Sequence, residues 1–132
     1  MHEEHEPLPH ETERVAQSIV DAALAVHRAL GPGLLESAYE ACLSHELARR
    51  GHAVITQMAL PVVYDTMKLD AGYRVDLIVD DVVIVEVKAI ETLASVHEAQ
   101  LLTYLRLSHR RLGLLINFNV KLLKSGIKRM IL

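Results

Sequence analysis

The chain has 132 residues, 51% of them apolar, with a formal net charge of -3 and a single cysteine. That length suits one domain, and the apolar share is enough to bury a core without covalent staples. One cysteine allows no internal disulfide and fits a reducing, cytoplasmic setting; no segment reaches the ~18 uninterrupted apolar residues of a membrane span, and the acidic, His-rich start is not that of a signal peptide.

Residues 1–10, with Pro7, Pro9, three His and three Glu, have no apolar period and are expected to form a disordered tail, leaving 11–132 as a single domain. A first helix is predicted from Glu11 to Leu30, where Val15, Ile19, Ala23, Val26 and Leu30 mark one buried stripe, Thr12 caps the start and Gly31-Pro32-Gly33 stops it. A second runs from Leu34 to Arg50, with Leu35, Ala38, Tyr39, Cys42, Leu43 and Leu47 facing inward and Gly51 at its end. Cys42 reads as a small buried hydrophobe. Strand-like sequence follows from Ala53 to Tyr64, with Pro61 as an edge or a break, and 65–70 reads as a polar turn. Ala71 to Val79 and Val82 to Ala89 form a hairpin whose second arm, rich in Val and Ile, suits a central strand covered on both faces. A helix from Ser95 to Leu107, a strand from Leu112 to Phe118 and a last short strand over 126–132 complete a mixed central sheet flanked by helices, an α/β fold in the broad sense. With no Trp and one Phe, its core must be aliphatic.

Chemistry concentrates in three places. In Val85-Glu86-Val87-Lys88 the two-residue period puts Glu86 and Lys88 on one face of an apolar strand, where charges cost energy unless paired or bound to something. Alone, the tetrapeptide suits an ordinary ion pair at a strand end. Asp76 on the neighbouring strand changes that. Asp76, Glu86 and a strand carbonyl, that of Val87, make a hard-oxygen set suited to Mg²⁺ or Mn²⁺. Opposed residues of an antiparallel hairpin share a constant index sum, so Asp76 facing Glu86 requires Val79 to face Val83 across a loop Asp80-Asp81-Val82; a two-residue loop would separate the carboxylates. The second place is Gln100-Leu-Leu-Thr-Tyr104, whose polar pair shares a helical face with His97 and could hold a phosphate or orient Lys88, or be no more than a surface stripe. The third is Glu36, in the first turn of a helix, where a carboxylate also simply complements the dipole.

Taken together these residues resemble a known family. Gly33, Glu36 and Tyr39 spell G-x-x-E-x-x-Y, and the stretch from Val26 to Glu36 resembles the signature of the GxxExxY proteins, placed in the PD-(D/E)XK nuclease superfamily. Gly72 to Asp76 with Glu86-Val87-Lys88, and His97 to Tyr104, are similar to its second and third blocks; Val75 stands where Pro often precedes the acid. The resemblance implies a PD-(D/E)XK nuclease-like fold, Asp76 and Glu86 as metal ligands, Lys88 as catalytic lysine, and Glu36 as an acid completing the site or serving a second metal. Gln100 and Tyr104 resemble the Q-x-x-x-Y motif of the RecB-like branch, which acts on DNA ends or single strands. Some members of that branch use a histidine ligand from before the core strands, and His27 is the candidate here.

The leading expectation is therefore a Mg²⁺- or Mn²⁺-dependent nuclease acting on DNA. The alternatives are a catalytically inactive nucleic-acid-binding or regulatory module with the same fold, and a partner-binding domain acting as a homodimer or in a larger complex. From His97 onward seven Lys and Arg stand against Glu98 alone, compatible with a phosphate-binding face or with a solvated surface.

Overall fold

The computed structural model describes residues 6–132. Residues 1–5 of the expected tail lie outside that range. Residues 6–9 have no regular structure, and the carbonyls of Glu6 and Pro7 accept hydrogen bonds from the Arg111 guanidinium at 2.6 and 3.4 Å. Helix α1 spans His10–Leu30, α2 Glu36–Arg49 and α3 Ser95–Ser108; the strands are β1 Val54–Ala59, β2 Val62–Tyr64, β3 Met67–Leu69, β4 Arg74–Val79, β5 Val83–Lys88, β6 Leu112–Asn117 and β7 Ile127–Ile131.

Five strands form one sheet in the order β1-β4-β5-β6-β7. Only β5 and β6 are parallel, and α3 makes the crossover between them. The continuous Val and Ile run of β5 is explained by its central place: α1 and α2 cover one face and α3 the other. Val83, Val85 and Val87 join Ile19, Tyr39 and Leu43 in the larger core, while Ile84 packs with Leu101, Tyr104 and Leu105 in the smaller. The arrangement is a mixed five-stranded sheet flanked by helices, the layout of a PD-(D/E)XK nuclease-like fold. Among the described residues no helix is long and apolar enough to cross a membrane.

Several local expectations are corrected. Thr12 does not cap α1; Pro9 occupies the cap position and Thr12 is buried within the first turn. Glu11 and Glu13 still complement the helix dipole there. Leu30, expected in the stripe, is exposed at the last position of α1. Leu35 is 76% exposed, since α2 begins one residue later, at Glu36. Cys42 is half-buried at the margin of the core. The segment 65–70 is not all turn: Met67–Leu69 pairs with Val62–Tyr64 in a separate two-stranded sheet. Two three-residue strands are too short to show a period, and Pro61 cuts β2 off from β1 as a ladder donor.

The functional end of the sheet is set by connections at the other. His52 bridges three elements, one ring nitrogen 2.6 Å from Ser18 Oγ on α1 and the other 2.6 Å from Asp80 Oδ2 in the β4–β5 loop. Asp80 Oδ1 also accepts from the Ala53 N–H at 2.8 Å, which fixes that loop against the entry to β1.

Candidate active site

The β4–β5 register decides whether the two acids can meet. Leu77 faces Val85, Ile78 faces Ile84 and Val79 faces Val83, so the connecting loop is Asp80-Asp81-Val82. Asp80 and Asp81 both take the left-handed backbone, with φ of 51° and 63°. The same index sum sets Asp76 opposite Glu86, where the ladder pairing gives way to side chains. The Asp76 N–H donates to Glu86 Oε2 at 2.8 Å, and the Val87 N–H donates to Asp76 Oδ2 at 2.8 Å. Each carboxylate is thus fixed by a backbone donor of the facing strand.

Asp76 departs from the simple alternation of a strand. On β4, Leu77 and Val79 face α1 and α2, while Ile78 faces α3, yet Val75 also packs on the α3 side. The strand changes its facing at Asp76, which borders a cavity of about 240 Å³ together with Glu36, Ser37, Glu40, Gln57 and Val87. Directly across from Asp76 on β1, Gln57 has φ 53°, a left-handed backbone within a strand. Such a conformation costs roughly 1–3 kcal/mol in a non-glycine residue and persists only where the surroundings fix it. Here the fixing contacts are visible: Gln57 Nε2 donates to Asp76 Oδ1 at 3.2 Å and to Glu40 Oε1 at 2.5 Å.

The acid rim of α2 is positioned by the turn that precedes it. The buried Tyr39 ring stacks on Phe118 with centroids 4.7 Å apart. Its hydroxyl donates to the Gly31 carbonyl at 2.5 Å and accepts from the Leu34 N–H at 3.1 Å. Gly31 has φ 68° and Gly33 φ 106°, so the two glycines supply the left-handed turns that bring Glu36 to the cavity. Glu40, one turn beyond Glu36, lies on the same helical face. Sequence reasoning missed Glu40 and Gln57. The four-residue spacing from Glu36 was an available signal for Glu40; nothing in the run Val54-Ile55-Thr56-Gln57 distinguishes Gln57 from an exposed strand residue.

Electrostatically the site holds excess negative charge. Glu86 is only 4% exposed. Burial, then the charge of Asp76, pushes its carboxyl up to about 8, against the opposing pull of the Asp76 N–H and Lys88. Burial also raises Asp76, with the Val87 N–H, Gln57 and Lys88 pulling it back. Glu40 is raised by burial too, with added repulsion from Asp76 and Glu36. Lys88, half-buried at the end of β5, is the nearby cation, and it makes no ion pair among the described residues.

This donor set fits a divalent metal with a strong preference for oxygen. Two carboxylates cross-linked at a strand end, with Glu36 and Glu40 on the rim, are short of positive charge. Among the described residues no three His, Cys, Asp or Glu side chains converge as a ready-made cage. Mg²⁺ needs none, since it usually keeps several waters and takes one or two carboxylates.

The residues of α3 fall into two groups. Gln100 and Tyr104 line a second cavity of about 260 Å³ with Val62, Tyr73, Thr103 and Leu107. The Tyr104 hydroxyl is pushed up to about 12 by burial, with the charges of Glu86 and Asp76 acting in the same direction. His97 does not share that role: its Nδ1 accepts from the Ala94 N–H at 2.9 Å and closes the start of the helix. His27 is buried beside Phe118, with Nε2 2.7 Å from the Val120 carbonyl, and does not border the Asp76 cavity. The basic C-terminal third is partly neutralised, because Arg110, Lys128 and Arg129 pair with Asp81, Glu98 and Glu13.

A buried acid pair and a lysine two residues on thus stand together at the end of a central strand in a helix-flanked mixed sheet. The family model of the PD-(D/E)XK nuclease superfamily matches residues 13–130, and the chain belongs to that superfamily. Neither the curated proteins nor the solved structures searched gave a match.

Proposed function

We propose that this chain is a divalent-metal-dependent nuclease of the GxxExxY type that hydrolyses phosphodiester bonds in DNA. The observation that carries the reading is the Asp76–Glu86 cross-link, with each carboxylate held 2.8 Å from a backbone N–H of the facing strand and Lys88 on the next turn of the pleat. Asp76, Glu86 and the Val87 carbonyl would hold Mg²⁺ or Mn²⁺, with Glu36 available at the rim. When bound, the cation polarises a phosphoryl oxygen and lowers the pKa of a coordinated water.

The protein's own groups do the rest. The Lys88 ammonium offsets charge that develops on the phosphate oxygens as water adds to phosphorus and a P–O ester bond breaks. Gln57 and the Val87 N–H hold Asp76 in one orientation, so little reorganisation is needed when substrate arrives. Gln100 and Tyr104 line the cavity on the α3 side, where they would contact the substrate strand. The lone cysteine suits action in the cytoplasm.

The test is cleavage of labelled single- and double-stranded DNA with Mg²⁺ or Mn²⁺, run beside Glu86→Ala and Lys88→Ala. Metal-dependent cutting that EDTA abolishes, and that each variant reduces by at least about 100-fold, supports the reading. Cutting that persists in both variants places the chemistry elsewhere. Nucleic-acid binding without any cutting points to a non-catalytic module with the same fold.

A further inference from the structure

The two sides of the acid pair differ in a way that the proposed chemistry alone does not require. The cavity bounded by α2 is ringed by carboxylates. The cavity on the α3 side has none: Val62, Tyr73, Gln100, Thr103, Tyr104 and Leu107 line it. Its floor is Tyr104, and Tyr73 stands three residues before Asp76, at the entry to β4, so the groove lies beside the strand that carries one of the acids. Tyr73 forms its lip, its ring inclined 62° to that of Tyr104 with centroids 6.4 Å apart. The Tyr73 carbonyl accepts from the Leu60 N–H at 2.9 Å, which fixes the backbone while the side chain remains 44% exposed.

Beyond this lip projects the β2–β3 hairpin, which pairs with no strand of the main sheet. On the face that includes Val62 it carries apolar side chains out of keeping with a solvent-facing ribbon: Tyr64 is 74% exposed, and Met67 and Leu69 are also exposed, while Val63 lies with Lys68 on the opposite face. An isolated two-stranded hairpin is at best marginally stable in water, and exposed apolar side chains gathered on one of its faces suit a binding surface. Three cations and two acids stand beside it, and the cations are unspent. Lys68 on β3, Arg74 at the start of β4 and Arg106 on α3 make no ion pair among the described residues. Arg106 donates to Thr103 Oγ1 at 3.3 Å, which brings its guanidinium to the groove. Of the hairpin's acids, Asp65 lies in the turn and Asp70 accepts from the Gly72 N–H.

Exposed aromatic faces, a carboxylate-free groove and free cations around it are the features that receive an unpaired base and its flanking phosphates. A paired base offers no free face to such a lip, and the cavity, at about 260 Å³, falls just below the usual range for small-molecule sites, a size suited to one planar ring. We propose that Tyr73 and the adjoining hairpin form a stacking clamp for one base of a single-stranded nucleic acid, next to the phosphate presented to the acid pair. The clamp rests on the nuclease reading for its purpose and deepens it by naming a single strand as substrate.

The test is binding of a fluorescently labelled oligothymidylate and of a blunt duplex to the full chain in EDTA, followed by anisotropy. Tyr73→Ala should weaken single-strand binding by roughly 5- to 100-fold, the worth of one stacked base, and duplex binding by less than about 2-fold. Tyr73→Phe should keep single-strand affinity, because the ring and not the hydroxyl is used. A series of oligonucleotides with one abasic position should lose affinity at one site in the parent, and that sensitivity should vanish in Tyr73→Ala. Equal losses for strand and duplex, a loss in Tyr73→Phe as large as in Tyr73→Ala, or no single-strand binding by the parent would each overturn the clamp. Because binding is read without metal, the two proposals fail separately. Ring-dependent single-strand binding without cleavage sinks the nuclease and leaves the clamp, and cleavage by a protein indifferent to Tyr73 does the reverse.

Discussion

Replacing Glu86 by Gln isolates the cost of the buried acid pair. The amide keeps an oxygen that can accept from the Asp76 N–H, now 2.8 Å from Glu86 Oε2, and it cannot ionise. In the folded protein the Glu86 carboxyl titrates near 8 instead of the usual 4.5, mainly through burial and then through Asp76. The folded state therefore holds a proton that the unfolded chain has already released between those two values. Stability must fall as pH rises through that window and level off above it. A shift of this size is worth at most about 5 kcal/mol. Asp76 can take up part of the burden, because the two carboxylates titrate as a pair, so we expect about 2–3 kcal/mol. Urea denaturation in EDTA should show variant and parent nearly equal near about pH 4.5, with the variant more stable by that amount above about pH 8. In heat this is roughly 6–15 °C for a chain of this size. Adding Mg²⁺ at the higher pH should stabilise the parent and leave the variant almost unchanged. A difference that stays constant across the range, or a parent that gains on the variant as pH rises, would refute the reasoning.

Tyr39→Phe removes the hydroxyl that joins Gly31 and Leu34 while keeping the ring on Phe118; it should cost about 1–2 kcal/mol by denaturant titration and lower nuclease activity by loosening the approach of Glu36 to the site. Gly126→Ala should prevent stable folding, because the new Cβ would lie 2.2 Å from the Asn117 carbonyl oxygen, which is backbone and cannot move aside. Gly113→Ala meets only the Leu101 side chain, at 2.7 Å, and should cost about 1–3 kcal/mol in a protein that still folds; thermal melts of the two variants together check the distinction.

The local sequence by itself determined the three helices, the central place of β5 and the pairing of β4 with β5. Apolar period set the first of these: Val15, Ile19, Ala23 and Val26 can be buried together only on a helix. An unbroken Val and Ile run set the second, since it makes sense only with both faces covered. The third followed from two strand-like runs meeting at Asp80-Asp81, with parity tying the register to whether Asp76 meets Glu86. The acid–acid–lysine set stood out as charges on an apolar strand, whereas Glu36 and the Gln100–Tyr104 pair, each with an ordinary local explanation, were singled out by the family resemblance.

Tertiary structure alone decided what surrounds them. The change of facing at Asp76 depends on Gln57, which is 19 residues away in sequence and held in a left-handed conformation by Asp76 and Glu40. No local propensity encodes that conformation; it exists because three elements converge. His97 and His27 look like members of the site in one dimension, but their ring nitrogens meet the Ala94 N–H and the Val120 carbonyl. Strand β3 read as part of a polar turn because a strand of three residues carries no period, and the hairpin it forms with β2 emerged only once the main sheet closed without it. A sequence records which side chains share a face of one element, whereas the partner of each polar atom is chosen by the packing of elements distant along the chain.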